Sequence, residues 1–293
     1  MTAENLAEAR SKLFRSWTRD SYSLRKPLVE AYNESVKDLD VRISADGTKI
    51  KPSSLKGLTK KLDRTTSRAF QKIEVEIQQG VERAIRRTTR AQLEHLRSIG
   101  AKELSRAQVL EIQKSVMKEL GKEFPKGSGL NFRDRILRVE RHHQAQMRKV
   151  LKRTHSLGDG VSKISREMKT GLTHIRPGRT PLVGGSATKN MQRIMVAEET
   201  RMAHIVEQRL AQASGIELAY WRLSSVHPNY GGNEICDFLA KGTGDDVAQV
   251  FRRNKVAINS LVSDGLYTIR NWPSYPHPFC KCYMEMVLTP TRN

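Results

Sequence analysis

The chain has 293 residues, 38% of them hydrophobic and 28% charged, with a formal net charge of +21. That length leaves room for more than one core, and the polar balance suits long solvated helices with narrow apolar stripes. No apolar run reaches the roughly 18–20 residues that span a bilayer. The opening sixteen residues carry Glu4 and Glu8 and no continuous apolar stretch, so no signal peptide is expected.

In chain order, Leu24–Asp40 is expected to be helical, and Ile43–Ile50, with its Asp46-Gly47 turn, a small hairpin. The spacing of Phe70, Ile73, Ile77, Val81 and Ile85 predicts a long helix over Thr65–Gly100, with Leu93 and Leu96 resuming the stripe. Ser105 and Gln108 form a capping box for a second helix striped by Val109, Ile112, Val116 and Leu120 and stopped by Gly121. Pro125–Gly129 reads as a loop. A third helix opens at Asn131, with Asp134 in its first turn, and runs to about His155. Gly158–Gly160 breaks it ahead of a short further helix, and Pro177–Ser186 is the clearest linker. A last long helix covers about Lys189–Ala213 and ends at Gly215.

Beyond Gly215 the texture changes. Ile216–Leu223 and Tyr283–Leu288 read as strands, with a helix near Asp245–Ser263 between them. The expected fold is therefore mainly α: a basic helical region over 1–185, a connecting helix over 186–214, and a small α+β zinc-stapled module over 215–293. Charge follows the same division. Residues 1–214 hold 44 Lys and Arg against 24 Asp and Glu, whereas residues 215–293 hold 8 against 7. A basic field of that size implies a polyanionic partner, most simply nucleic acid, met on the helical part. The candidate contacts are Arg83, Arg86, Arg87 and Arg90, which share a helical face, and Arg141, Arg148, Lys149, Lys152 and Arg153. The alternative is that these cations pair with acids of neighbouring helices or of a protein partner.

All three cysteines lie in the C-terminal module, an odd number that argues against a disulfide framework. Cys236 forms one cluster with His227, and His277-Pro-Phe-Cys280-Lys-Cys282 forms the other. Zinc takes about four tetrahedral Cys and His ligands, and structural sites are usually closed by two clusters distant in sequence. Cys236, His277, Cys280 and Cys282 are the expected ligands, with His227 a possible further one. The opposing reading is a set of ordinary buried cysteines beside a turn histidine. An enzyme reading, a zinc-dependent nuclease, would take Asp237 or Glu234 as carboxylate or His227 as base. The three potential ligands of the second cluster favour a closed structural site instead.

Four stretches together resemble the Mu F-type minor head protein (head morphogenesis) family of tailed phages. They are Glu199-Thr200, Trp221-Arg-Leu-Ser-Ser-Val-His227-Pro228, Ile235-Cys-Asp-Phe-Leu-Ala240 and Pro276-His-Pro-Phe-Cys-Lys-Cys282. The likeness covers about residues 190–285, and Gly129–Ile136 resembles the helical segment that precedes the module. Asn233 stands where many members carry a cysteine, Lys281 replaces the usual arginine, and the insertion Thr243–Gly265 is long. The resemblance implies a non-enzymatic minor capsid component in the virion interior, built in the host cytoplasm. Its implied partners are the portal protein, capsid or scaffold proteins, and non-specifically bound packaged double-stranded DNA, with no membrane in the assembled head. Glu199 is expected to make a structural ion pair or cap, and Trp221 and Trp272 to be core of the module.

Overall fold

In the computed structural model, the described residues are 52–124, 128–157, 187–223, 239–240, 261–263, 266–269 and 282–288, with isolated positions between 8 and 30. Among them the bounded helices are α1 (Pro52–Ser98), α2 (Arg106–Met117), α3 (Phe132–Leu157) and α4 (Ala187–Ala213). A 3-10 turn, Lys118–Gly121, follows α2. Four short strands complete the set: β1 (Leu218–Arg222), β2 (Leu261–Ser263), β3 (Leu266–Thr268) and β4 (Tyr283–Val287). The mainly helical fold with a small antiparallel sheet is as the sequence predicts. The expected hairpin at 43–50, most of the helix at 24–40, and the short helix and linker between 158 and 186 lie outside the described residues.

Three helix ends follow from named side chains. At α2, Ser105 Oγ accepts from the Gln108 amide at 3.3 Å while the Ser105 amide donates to Gln108 Oε1 at 2.9 Å. Asn131 and Asp134 repeat the device at α3, with bonds of 3.0 and 3.2 Å. Each pair satisfies amides that the first turn leaves without helical partners. At the other end of α4, Gly215 takes φ +72°, and the Ile216 amide donates back to the Ala211 carbonyl at 3.0 Å. A left-handed residue suits glycine because it has no Cβ to strike the backbone.

Two expectations need correction. The first helix begins at Pro52 rather than at Thr65, its buried stripe extending back through Leu62 and Leu58. Proline is favoured in a helix's first turn because the amide it lacks has no partner there. Residues 261–263, expected at the end of a helix, instead form β2, an antiparallel partner of β3.

The chain divides into two compact units, each assembled from separated stretches. One joins residues 1–18, 80–120 and 196–293, and the other joins 19–79 and 121–195. In the second unit Phe70, Ile73, Ile77, Ile136, Met147, Leu151 and Met191 are buried. There α1 and α3 run antiparallel: Arg148 bridges Asp63 at 2.7 Å, Gln144 bonds Ser67 at 3.1 Å, and Arg133 reaches Glu74 at 3.9 Å.

The first unit holds the sheet, in the order β2-β3-β1-β4. Alternation sets its faces. Ala219 and Trp221 of β1 are buried and register with Met286 and Met284 of β4, which are buried as well. On the other face Tyr220 registers with Glu285, and Arg222 both pairs with Glu285 and lies over the Tyr220 ring. Tyr267 is fully buried and donates its hydroxyl to the Leu239 carbonyl at 2.6 Å; burial pushes its phenol pKa up.

Candidate metal centre and basic surfaces

Cys282 is the one expected metal ligand among the described residues. It is fully buried and immediately precedes β4. Cys236, His277, Cys280 and His227 lie outside the described residues, as do Glu234, Asp237 and Trp272. Among the described residues no group of three or more His, Cys, Asp or Glu is placed to hold a metal. The strand register nevertheless bears on the two clusters. Arg222, the last residue of β1, pairs with Tyr283, the first of β4. The chain therefore leaves for His227 and Cys236 at the same end of the sheet where it arrives from His277 and Cys280. A buried thiol at that point has the donor chemistry a structural zinc takes.

Beside the sheet, in the same unit, lies a buried polar cluster that the sequence reading touched only at Glu199. Every residue of α4 from Val196 to His204 is buried, including Glu198, Glu199, Thr200 and Arg201. A helix covered all round must satisfy its polar groups internally. Arg201 donates to Glu198 Oε2 at 3.2 Å and to the Glu119 carbonyl at 3.1 Å. Arg209 pairs with the Glu119 carboxylate and donates to Ser115 Oγ at 2.6 Å. These bonds fix α4 to α2 and the 3-10 turn.

The opposite ends of the cluster reach α1 and the sheet. Gln92 of α1 donates to Glu207 Oε1 at 3.3 Å. His95 donates from Nε2 to the Met286 carbonyl of β4 at 3.2 Å. Burial holds the His95 pKa below the usual range, against the raising effect of that bond and of the Glu285 charge. His204 stacks on Trp221, with centroids 5.8 Å apart and planes 7° from parallel, and its Nδ1 lies 3.3 Å from Glu207. Trp221 is thus core of the sheet, as expected. The signal that could have found the cluster is the density of polar residues on an otherwise apolar helix, Glu198, Glu199, Arg201, His204 and Glu207. A surface helix would carry them on one face only.

The basic candidates fall into two groups. In the first unit Arg83 and Arg90 are exposed, Arg86 pairs with Glu82 at 3.6 Å, and Arg87 is half-buried and donates to Ser16 Oγ at 2.6 Å. In the second unit Arg141, Lys149 and Lys152 are exposed on α3. Arg148 grips Asp63 through two nitrogens, Nε to Oδ1 at 3.1 Å and Nη2 to Oδ2 at 2.7 Å, and that carboxylate raises its pKa. The side chain of Arg153 lies outside the described residues. Among the described residues no helix is long and apolar enough to cross a membrane. No family model, curated protein or solved structure matches this chain.

Proposed function

We propose that this chain is a structural minor component of a phage head, lying by the portal inside the capsid and against packaged double-stranded DNA, and acting in head assembly or genome delivery. Its C-terminal module is a clasp closed by a structural zinc on Cys236, His277, Cys280 and Cys282, with His227 completing or exchanging with that set. The observation that carries the reading is the pairing of Arg222 with Tyr283, by which the chain leaves β1 toward one motif and enters β4 from the other at the same end of the sheet. Supporting it, the only cysteine among the described residues is buried next to that pair. The carboxylates of α4 are at most 1% exposed, so they suit internal bracing better than chemistry on a bound substrate.

The test is membership of the particle. Virions and empty procapsids from a phage or induced prophage that encodes the chain are purified and quantified by mass spectrometry. A few copies per particle, together with co-purification of the co-expressed portal protein, is the expected result. Complete heads that lack the chain, while the lysate contains it, overturn the reading.

A further inference from the structure

The exposed side of the second unit is more uniformly basic than its sequence suggests. Between residues 55 and 79 the exposed positions of α1 are Lys56, Lys60, Arg64, Arg68 and Lys72 with Gly57, Gln71, Val75, Gln78 and Gln79. Half are cations and none is an anion. The α1 acids of this stretch, Asp63, Glu74 and Glu76, are half-buried and engaged: Asp63 with Arg148, Glu74 with Arg133, Glu76 with Ser23. Across the contact line, the exposed positions of α3 between 132 and 152 are six Lys or Arg and Ala145. Of those six, Arg133 and Arg148 are bridged to α1, which leaves Arg138, Arg141, Lys149 and Lys152.

These two rows open on one side. Residues 63, 67 and 74 of α1 meet residues 148, 144 and 133 of α3, so the helices are antiparallel. At 100° per residue, the exposed arc follows the contact line in the same rotational sense on each helix. In an antiparallel pair, arcs of the same sense face the same way. Cations at steps of four residues, about 6 Å of rise and about 40° of turn each, run for about 24 Å along α1 while winding through about 160° of its exposed arc. That is close to seven base pairs of a strand at about 3.4 Å each.

We infer that this two-helix face is the surface on which the chain holds double-stranded DNA, through phosphates and without reading sequence. The inference deepens the function proposed above and rests on it for the identity of the polyanion. Three observations favour a duplex backbone. Nine cations lie on the face, none ion-paired among the described residues. The exposed positions include no aromatic ring, so single-stranded bases have nothing to stack on. Two adjacent helices, each about 10 Å across, are too wide to enter one major groove of about 12 Å together, so they lie across the backbone.

The test uses the full-length chain and a mixed-sequence 30-base-pair duplex, read by fluorescence anisotropy over a salt series. One variant carries Lys56→Gln, Lys60→Gln, Arg64→Gln, Arg68→Gln and Lys72→Gln. The control removes the same charge from exposed cations of the first unit: Arg97, Lys102, Arg106, Lys114 and Lys118, each to Gln. The face variant is expected to lose about four units of log–log salt slope, since each phosphate contact contributes about 0.9, and hence on the order of 10,000-fold in affinity at 0.1 M salt. The control is expected to lose less than about threefold. Equal losses make the binding a matter of bulk charge and overturn the assignment, as does retention by the face variant. Poly-glutamate that displaces the duplex at equal charge makes an acidic protein the partner, which also overturns it. Should circular dichroism show the fivefold variant poorly helical, Arg138→Gln with Arg141→Gln and Lys149→Gln tests the other row. Particle membership is measured independently, so a head protein that fails here keeps its place and loses only this surface.

Discussion

His143 illustrates how one buried side chain makes stability depend on pH. It sits on the inner side of α3, 5% exposed, with its ring centroid 6.2 Å from that of Phe70. Burial, aided by the neighbouring His142 charge, pushes its pKa down to about 4. The unfolded chain therefore takes up a proton near pH 6.5 that the folded chain refuses until about pH 4. Stability contributed by the neutral ring is complete above pH 6.5 and falls as pH drops through that window. At about 1.36 kcal/mol per unit, the loss is at most about 3 kcal/mol. Replacing His143 with Leu, similar in volume and never charged, should flatten the decline in thermal midpoint between pH 7 and pH 4.5. His95 keeps a smaller decline of the same sign in the first unit. A variant whose midpoint falls as steeply as the wild type's rules this account out.

At the scale of elements, helix ends were the readable part of this sequence. Ser105 with Gln108 and Asn131 with Asp134 act locally, so a stretch of four residues announces each. Gly215 does the same for the end of α4, and a contrast between two glycines measures its role. A Cβ on Gly215 or on Gly121 meets nothing within 4 Å, so space cannot distinguish them. Only Gly215 has positive φ, at +72°. Gly215→Ala should cost about 1 kcal/mol, while Gly121→Ala should be neutral or slightly stabilising. Chemical denaturation of the two variants checks this, and equal effects would remove the conformational explanation. What the sequence hid were features made by tertiary pairing. The Lys56–Lys72 row escaped notice because the apolar stripe weakens before Phe70, so the first turns of α1 were not read as helix. Residues 261–263 become a strand because β3 offers ladder partners, which a helical reading of Asp245–Ser263 could not anticipate. The buried polar run of α4 is made by the elements that cover it, which lie far away in sequence.

For the whole molecule, the question is what keeps so small a sheet closed. Among the described residues its strands are three to five residues long, and β4 is an edge strand with Met284 and Met286 buried and Cys282 buried just before it. So short a ladder contributes little by itself, and small cores are commonly stapled by a metal. Under the zinc reading, ligands from the segments beyond β1 and before β4 would lock the Arg222–Tyr283 end of that pair, where separation of the strands would otherwise begin. A structural zinc can contribute on the order of 10 kcal/mol of folding free energy, far more than the ladder of one short pair. Metal analysis of the purified chain should then find about one zinc per molecule. Chelation, or Cys280→Ser, should abolish the near-ultraviolet dichroism of Trp221, whose ring is fixed against His204, and expose the sheet to protease. The far-ultraviolet helical signal should persist, because the buried stripe shared by α1 and α3 in the second unit owes nothing to the sheet. A chain that is metal-free and still protease-resistant with its tryptophan signal intact would show that β1 and β4 are held by packing alone.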